Sequence, residues 1–385
     1  MAITIGEANM KKVLFFLESL SGGGAEKVLT DIVCNVDKKK YDITVCTVTD
    51  GDVYQDKVSQ AVNYVSLLKK ADYNAGGIKK ILFWFKLKLI YNLPTQWIYK
   101  YYIKDIYDVE VAFIEGFATK FIGASSNMSS RKMAWVHIDM IKNNYADNSY
   151  RSIEEHKVTY HRYDTIVCVA QSVKEAFEKK FFYSDKICVQ YNPVDNKEIK
   201  RKSLEKVDIK RKESILLGTV GRLENQKGYL RLLKSLKTLQ NEGYKFEVWI
   251  IGAGSQYNAL NDFILANQMS DYVILLGFQK NPYKYINLCD AFICSSYAEG
   301  FSTAATESLI LGKPIFTVDC SGMSELFGNM PCGVIVANDD QSLLELLRDI
   351  VSYRIKIDDY KTAVKIRAAD FEIDKRIKEI ERLLE

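Results

Sequence analysis

The sequence has little net charge and few histidines, and each of these absences excludes a class of protein. The formal net charge of the 385 residues is only +4, far from the basic balance of a nucleic-acid coat, so an acidic partner would have to meet a local patch. The three histidines, His137, His156 and His161, do not have the spacing of zinc ligands. Neither a nucleic-acid partner nor a histidine-based zinc site is therefore expected.

Cysteine pairs and a signal peptide are also missing. The eight cysteines are scattered without a C-x-x-C pair, and most lie in apolar runs such as TIVCVAQS, where a thiol behaves as a small buried hydrophobic group. The first ten residues, MAITIGEANM, are polar and irregular, and we interpret them as a leader or remnant before a strand that starts near Lys12. Together these features predict a protein of the reducing cytoplasm.

The chain does contain short apolar runs that alternate with helical stretches, the pattern of parallel α/β units. Its 48% hydrophobic and 26% charged residues allow two soluble domains with real cores. Runs such as KVLFFLES and YDITVCTVT form a first set of strands, and runs such as SILLGTVGRL and FEVWIIGAG form a second. The sequence therefore predicts an α/β protein with two Rossmann-like domains whose parallel sheets face a cleft: residues 1–192 and 214–358, joined by a charged linker at 193–213, with a C-terminal helix at 359–385 that could cross back.

Ligands of open α/β sheets bind at the carboxyl ends of the strands, so the loops that follow strands carry the functional hypotheses. The first loop, ESLSGGGAEKVL, has Gly22, Gly23 and Gly24 before a helix that begins near Ala25. Its backbone could approach a phosphate or a sugar, or it could be a structural turn. It does not complete the G-x-G-x-x-G of a dinucleotide site, because Lys27 stands where the third glycine is required.

The second loop, in GTVGRLENQKGYL, carries Arg222 and Lys227 between a strand and a helix. A planar guanidinium and a point-charge ammonium at this spacing can clamp a diphosphate. Lysine and arginine are also common in solvated loops, so the pattern alone leaves both interpretations open.

The third loop, in SYAEGFSTAATESLILGKP, places Glu299 in a turn and Glu307 on the helix that follows, with Ser302 or Thr303 as the predicted N-cap. The two carboxylates could be catalytic acids, could bind sugar hydroxyls, or could lie at a solvated helix end. The backbone amides around Gly300 would suit phosphate or sugar oxygens.

Taken in order along the chain, these segments resemble the retaining, nucleotide-sugar-dependent glycosyltransferases of family 4. The third loop resembles their Glu-x7-Glu signature, GGGAEKVL their N-terminal glycine loop, YNPVD their domain boundary and GTVGRLENQKG their Arg/Lys segment. WIIGAG and VILLGFQKNPYKYINLCDAFICSS resemble the approach to their nucleotide site. The resemblance covers nearly the whole chain and implies the GT-B fold, with the donor bound mainly by the C-terminal domain.

The resemblance also implies roles for individual residues. Arg222 and Lys227 would bind the donor diphosphate and stabilise the departing nucleotide, Glu307 would hold the ribose, and Glu299 and His137 would face the donor sugar. The catalytic residues that it implies are Glu299, His137, Arg222 and Lys227. The donor-binding residues that it implies are Gly23, Gly24, Arg222, Lys227, Gly252, Gly254, Phe278, Gln279, Glu299, Gly300, Phe301, Ser302, Thr303 and Glu307.

Three further expectations follow from the resemblance. Ser302 and Thr303 replace the commoner Gly-Leu or Gly-Ile pair, so the sugar end of the site departs from the family pattern. Catalysis would be mainly electrostatic, with the leaving phosphate taking the acceptor proton, so the two glutamates would not act as the acid and nucleophile of a glycosidase. No metal or other cofactor is expected, and Asp50 and Asp52 in TDGDVYQD are interpreted as part of a turn.

Residues 76–107, here called the basic aromatic segment, alternate lysines with aromatic side chains. The lysines and Pro94 interrupt every apolar run of about 18–20 residues, so a transmembrane helix is not expected. The composition fits a surface that lies on an anionic membrane, with a core helical hairpin as the alternative. The lysines of this segment are 79, 80, 86, 88, 100 and 104.

The resemblance thus implies a retaining hexosyltransferase that moves a hexosyl or N-acetylhexosaminyl unit to a lipid-linked or polysaccharide acceptor. Together with the basic aromatic segment, it predicts a cytoplasmic protein at the inner face of the cell membrane. A UDP-sugar is the favoured donor and GDP-mannose the alternative. Two other classes stay open: a nicotinamide-dependent oxidoreductase that uses the first glycine loop, and a sugar-nucleotide-binding subunit without turnover. The oxidoreductase would lose NADH binding on Gly23→Asp.

Overall fold

The structure is a computed structural model that describes residues 10–70 and 77–385, and the chain divides into two compact units. The first unit contains Met1–Tyr191 together with Arg376–Glu385, and the second contains Asn192–Lys375. Apart from Met10, the N-terminal stretch interpreted as a leader or remnant lies outside the described residues.

Each unit is built on a parallel β-sheet, as the sequence predicts. The strands of the first unit are β1 (Lys11–Leu17), β2 (Tyr41–Thr49), β3 (Asn63–Leu68), β4 (Val109–Ala112), β5 (Arg131–Val136), β6 (Thr165–Cys168) and β7 (Ile187–Val189). Those of the second are β8 (Ile215–Val220), β9 (Phe246–Ile251), β10 (Val273–Gly277), β11 (Ala291–Cys294), β12 (Ile315–Val318) and β13 (Gly333–Val336). The strand orders are β3-β2-β1-β4-β5-β6-β7 and β10-β9-β8-β11-β12-β13.

Helices connect the parallel strands, because a parallel pair needs a crossover connection. The helices of the first unit are α1 (Gly24–Asn35), α2 (Gln55–Ala61), α3 (Gly77–Asn92), α4 (Thr95–Tyr102), α5 (Phe117–Ile122), α6 (Ile153–His161) and α7 (Gln171–Lys180). The second unit has α8 (Asn196–Ser203), α9 (Tyr229–Asn241), α10 (Tyr257–Ala266), α11 (Tyr283–Leu288), α12 (Thr303–Ile310), α13 (Met323–Phe327), α14 (Asp340–Val351) and α15 (Lys361–Ala368), and α16 (Ile373–Leu384) ends the chain. Short 3-10 turns lie at Tyr145–Ser149, Asn225–Lys227, Ile357–Tyr360 and Ala369–Phe371.

The central strands form the two cores. All six residues of β9 are buried, and so are the five residues of β1 from Val13 to Leu17. Strands that are apolar on both faces are typical of a parallel sheet covered by helices on either side. The sequence pattern predicts these strands but does not predict β3, an edge strand in which exposed and half-buried residues alternate before two buried leucines.

The segment predicted as a linker is more ordered than its composition suggests. It contains α8 and belongs to the second unit. Asp195 caps this helix by accepting a hydrogen bond from the backbone N–H of Glu198 at 2.9 Å, and Ile199 is completely buried. Because the helix otherwise carries mainly charged residues, its sequence lacks the apolar stripe by which a packed helix is recognised.

The end of α16 completes the first unit. Its Glu381 carbonyl accepts a hydrogen bond from the Tyr41 hydroxyl at 2.9 Å, and its Leu383 carbonyl accepts one from Arg131 Nη2 at 2.7 Å. The first sheet is therefore covered in part by residues that are distant from it in sequence.

Among the described residues, no helix combines the length and the apolar character that crossing a membrane requires. Helices α3 and α4 form most of the described part of the basic aromatic segment, and Ile90 is the buried residue of α3. This excludes the core-hairpin interpretation for α3, because its aromatic side chains are largely exposed: Trp84 is 65% and Phe85 57% accessible.

Candidate functional site

The candidate site lies where the strand order of the second sheet reverses, between β8 and β11. Strands β8 and β11 are neighbours in this sheet, with β9 and β10 on one side and β12 and β13 on the other. A ligand of an open α/β sheet binds in the crevice at such a switch point, outside the carboxyl ends of the strands. The loop after β8 carries Arg222 and Lys227, and the loop after β11 carries Glu299.

Lys227 and Glu299 form an ion pair in this crevice. The Lys227 Nζ atom lies 2.6 Å from Glu299 Oε1, and the Ser296 hydroxyl donates to the same carboxylate oxygen at 2.5 Å. Burial alone would lower the pKa of Lys227, but the charge and the hydrogen bond of Glu299 outweigh it and raise this pKa above its ordinary value. Lys227 is therefore a full cation at neutral pH, with 22% of its side chain accessible.

Backbone contacts join the two loops that carry this pair. The Tyr297 N–H donates to the Gln226 carbonyl at 2.8 Å, and the Gln226 side-chain amide donates to the Ala298 carbonyl at 2.8 Å. The Ser295 hydroxyl donates to the Lys227 carbonyl at 3.0 Å. The two loops therefore form one connected structure, which fixes the position of the cation relative to the carboxylate.

Arg231, on α9, stabilises the loop after β11 by hydrogen bonds to its backbone, although sequence reasoning did not select this residue. Its side chain is 3% exposed, and it donates from Nε to the Ser295 carbonyl at 2.7 Å and from Nη2 to the Ser296 carbonyl at 2.9 Å. The guanidinium also lies over the Tyr297 ring, with Cζ 4.0 Å from the ring centroid. A charged residue on the otherwise apolar face of α9 was the signal that could have identified it.

The turn between the two glutamates ends in the start of α12. The Ser302 hydroxyl accepts the backbone N–H of Ala305 at 3.4 Å, so Ser302 is the N-cap, as one of the two predicted candidates. Thr303 is the first residue of the helix. Phe301 is buried, which leaves backbone amides of the turn rather than the phenyl ring to face a ligand.

Glu307 lies on α12 and is half-buried. Its Oε1 atom accepts a hydrogen bond from the hydroxyl of Tyr283 at 3.0 Å. Tyr283, the first residue of α11, is a neighbour that the sequence did not reveal, because 24 residues separate it from Glu307. The Tyr283 hydroxyl therefore helps to orient this carboxylate.

Arg222 and the glycines after β9 form the next part of the crevice. Arg222 is exposed, and within the described residues its side chain forms no hydrogen bond or ion pair, although its backbone carbonyl accepts the Glu224 N–H at 2.8 Å. Gly252 and Gly254 pack against the loop after β8: a Cβ atom on Gly252 would lie 1.9 Å from the Gly221 carbonyl oxygen, and one on Gly254 2.5 Å from that of Leu223. These two glycines therefore allow the loops after β8 and β9 to approach each other.

Phe278 and Gln279 follow β10. The Phe278 side chain is 53% exposed and could stack on a flat group. Gln279 makes local contacts, since its amide nitrogen donates to the Leu276 carbonyl at 2.7 Å and its oxygen accepts from the Tyr285 hydroxyl at 3.1 Å.

In the first unit, His137 directly follows β5. Burial lowers the pKa of its imidazole to about 4, so the ring is neutral at physiological pH, and its buried Nε2 atom has no hydrogen-bond partner among the described residues. The backbone N–H groups of His137 and Ile138 donate to the buried carboxylate of Glu115, which also accepts from the Tyr145 hydroxyl at 3.1 Å. Burial raises the pKa of Glu115. Sequence reasoning missed this glutamate.

Two other predicted loops of the first unit have contacts of their own. Gly23 is the N-cap of α1, and Gly24 is its first residue. Asp50 accepts the backbone N–H of Lys70 at 2.5 Å, and Asp52 accepts the N–H of Leu20 at 3.0 Å. Asp52 also pairs with the Lys70 ammonium, so both aspartates connect the loop after β2 to residues distant in sequence.

Chemically, the crevice of the second unit offers a fixed cation, a carboxylate beside it and the amides at the start of a helix. This combination suits a ligand that carries both an anionic phosphate and hydroxyl groups.

Comparison with known proteins shows which protein families the chain resembles. Residues 22–198 match the family model described as Glycosyltransferase Family 4, and residues 200–367 match the one described as Glycosyl transferases group 1. The chain is 27% identical over 372 residues to the N-acetylgalactosamine-N,N'-diacetylbacillosaminyl-diphospho-undecaprenol 4-alpha-N-acetylgalactosaminyltransferase of Campylobacter jejuni, covering 94% of this chain and 96% of the relative. It is 22% identical over 360 residues to the O-antigen biosynthesis glycosyltransferase WclY of Escherichia coli, covering 90% and 89%.

Solved structures give the same fold. The chain resembles Anabaena HepE in complex with UDP and glucose with a TM-score of 0.73, at 16% identity and over 97% of this chain and 99% of that one. It resembles the lipopolysaccharide outer core galactosyltransferase WaaB with a TM-score of 0.63, at 18% identity and over 96% and 98%.

Proposed function

Because the chain belongs to the GT-B glycosyltransferases, with a family 4 region followed by a group 1 region, we propose that it transfers a hexosyl or N-acetylhexosaminyl unit from a nucleotide sugar to a lipid-linked or polysaccharide acceptor. The observation that carries the proposal is the Lys227–Glu299 pair at the carboxyl ends of β8 and β11, beside the start of α12. A cation next to helix amides binds a diphosphate, and a neighbouring carboxylate binds sugar hydroxyls.

A UDP-sugar is the donor to test first. HepE was solved with UDP and glucose, and the pneumococcal O-GlcNAc transferase GtfA with UDP and GlcNAc. These distant neighbours share the fold of this chain, so they motivate the choice of nucleotide. GDP-mannose is the second candidate.

The proposed acceptor follows from the relatives. The Campylobacter relative is named for a diphospho-undecaprenol substrate, and WclY for O-antigen biosynthesis. A sugar carried on a lipid diphosphate or on a growing surface polysaccharide is therefore the acceptor class that we assign.

In the proposed reaction, the bond between the sugar C1 atom and the diphosphate breaks, and a bond from C1 to the acceptor oxygen forms with retention of configuration. The electron pair of the broken bond goes to the diphosphate, whose phosphate oxygen takes the proton of the acceptor hydroxyl. Lys227 and Arg222 stabilise this negative charge together with the amides at the start of α12. Glu307 binds the ribose, and Glu299 binds the donor sugar once the diphosphate takes the Lys227 ammonium.

The first experiment measures thermal stabilisation by a panel of UDP-, GDP-, ADP- and TDP-sugars, with NADH as the probe of the oxidoreductase alternative. We expect one nucleotide sugar to raise the Tm, because a ligand that binds the folded state stabilises it. NADH should have no effect. If no nucleoside diphosphate or sugar conjugate shifts the Tm while NADH does, glycosyl transfer is the wrong assignment. A donor that binds but is neither transferred nor hydrolysed would identify a binding subunit instead.

A further inference from the structure

Glu18 is a carboxylate at the ligand-binding edge of the first sheet that the preceding assignment does not use. It directly follows β1 and is half-buried. The Tyr91 hydroxyl donates to its Oε2 atom at 2.7 Å. Within the described residues, its Oε1 atom accepts no hydrogen bond from the protein.

The position of Glu18 in the sheet places it among the other polar groups of this edge. Strand β1 pairs with β4, and β4 pairs with β5, so Glu18, Glu115 and His137 follow three adjacent strands. Neighbouring strands are about 4.8 Å apart, which puts the ends of β1 and β5 roughly 10 Å apart, within the span of one sugar residue and its substituents. Glu115 is occupied by backbone amides and Tyr145, whereas Glu18 keeps an oxygen available.

The surroundings of Glu18 favour a hydrogen-bonded ligand. Burial raises the pKa of its carboxyl, and the hydrogen bond from Tyr91 offsets part of this rise. Because burial removes part of the water around this carboxylate, an incoming hydroxyl group gains more here than it would at an exposed carboxylate.

An aromatic surface adjoins the carboxylate. The Tyr91 ring lies 4.5 Å from the ring of Phe117, measured between centroids, and Phe117 is 4% exposed. Tyr91 itself is 42% exposed. A sugar has apolar ring faces and polar edges, so a half-exposed aromatic ring beside a carboxylate presents both kinds of contact that it needs.

Tyr91 also connects this position to the basic aromatic segment. It lies near the end of α3, next to Ile90, which is 2% exposed, whereas Ile78 near the other end of the helix is 83% exposed. The end of α3 is thus held at the sheet while its beginning is free to contact another surface.

We propose that Glu18 is an acceptor-binding residue: its Oε1 atom accepts a hydrogen bond from a hydroxyl group of the acceptor sugar, and Tyr91 orients the carboxylate for this contact. The proposal rests on the proposed glycosyl transfer and names an acceptor-side residue for it. It also explains why the helix that carries the exposed aromatic side chains ends beside the sheet edge.

The test compares Glu18→Gln with the wild type in two assays. The first measures binding and slow hydrolysis of the nucleotide sugar selected by the thermal screen, and neither should change. The second measures transfer to octyl glycosides of glucose, galactose, mannose, N-acetylglucosamine and N-acetylgalactosamine. We expect the KM for the best acceptor to rise about tenfold or more, because the glutamine oxygen pairs with Tyr91 and its NH2 group replaces the acceptor oxygen. Glu154→Gln, an exposed change on α6, is the matched control.

A double-mutant cycle tests the role of Tyr91. Tyr91→Phe should raise the acceptor KM by a smaller factor than Glu18→Gln, and the double variant should match Glu18→Gln, since Tyr91 acts through the carboxylate. Tyr183→Phe, at an exposed tyrosine of the same unit, is the control. An unchanged acceptor KM in Glu18→Gln overturns the inference alone. A wild type that binds no nucleotide sugar of the thermal panel and glycosylates none of the octyl glycosides overturns the proposed function as well.

Discussion

At the scale of single residues, Lys227 is a cation that can pair either with Glu299 or with the diphosphate of a donor. Its ammonium lies 2.6 Å from Glu299, and a diphosphate at the start of α12 would compete for it. The exchange would leave Glu299 to bind the donor sugar, so one ion pair can hold both side chains in position and then release them to different parts of the donor. A largely buried pair can do this better than an exposed one. Water would solvate the two exposed side chains separately, so they would not be held in one position before the donor binds.

Lys227→Ala should therefore lower kcat by well over tenfold, since it removes a charge that stabilises the leaving diphosphate. The measurement is steady-state transfer at saturating nucleotide sugar. Lys234→Ala, an exposed lysine of α9, is the control and should leave kcat unchanged. A nearly normal kcat in Lys227→Ala would exclude the proposed role of this lysine.

Sequence reasoning finds a site residue when the residue stands in a recognisable local motif. It fails when the role of the residue depends on a contact with a residue distant in sequence. Lys227 and Glu299 each stand in a recognisable segment, so both were predicted. Arg231 and Tyr283 have functional neighbours 64 and 24 residues away, and no local pattern reports such contacts. His137 was predicted from the segment around it, and its role toward the donor sugar stays a prediction.

At the scale of elements, the entry into α9 depends on one glycine. Gly228 has a φ of +66°, and a Cβ atom there would lie 2.1 Å from the Ser295 carbonyl oxygen. That oxygen belongs to the loop that carries Glu299 and also accepts from Arg231. The close approach of α9 to this loop therefore requires a residue without a side chain.

Gly228→Ala should lower the free energy of unfolding by about 3 kcal/mol or more, because it adds a backbone clash to the strain of a positive φ. Gly243→Ala is the matched control at the other end of α9. It also has a positive φ, +85°, but a Cβ atom there would meet nothing within 4 Å, so we expect a loss of about 1–2 kcal/mol. Urea unfolding of both variants measures the difference, and equal losses would contradict the role of the clash.

The predictability of the elements follows the strength of their apolar patterns. Buried strands such as β1 and β9 were predicted because most of their positions are apolar. Strand β3 was missed because an edge strand needs fewer apolar residues, and α8 because one buried isoleucine anchors an otherwise charged helix. In both cases the packing partner decides the structure, and a single sequence does not contain that information.

At the scale of the whole molecule, the exposed aromatic side chains of α3 and α4 form a surface that a soluble protein would not keep without a partner. All six lysines of the basic aromatic segment are exposed as well. We propose that this surface binds an anionic membrane, with aromatic rings at the interface and lysines near lipid headgroups.

Changing these six lysines to glutamine should lower binding to vesicles of phosphatidylglycerol and phosphatidylcholine by at least tenfold at low salt, since each lysine near the surface contributes about 1 kcal/mol before screening. Vesicle flotation is the measurement. The control changes six exposed lysines of the second unit to glutamine, namely Lys200, Lys206, Lys210, Lys234, Lys356 and Lys375. Equal flotation of the two variants would reject the electrostatic contribution of this segment.

The contribution of Arg376–Glu385 to the first unit has a consequence for biosynthesis. These residues leave the ribosome after the whole second unit has been made, yet their backbone supplies partners for Tyr41 and Arg131 of the first sheet. Domains usually fold in the order in which they are translated. Here the first unit stays incompletely covered until the second unit has been synthesised. A chaperone that shields apolar surface would therefore act on the unit that is synthesised first.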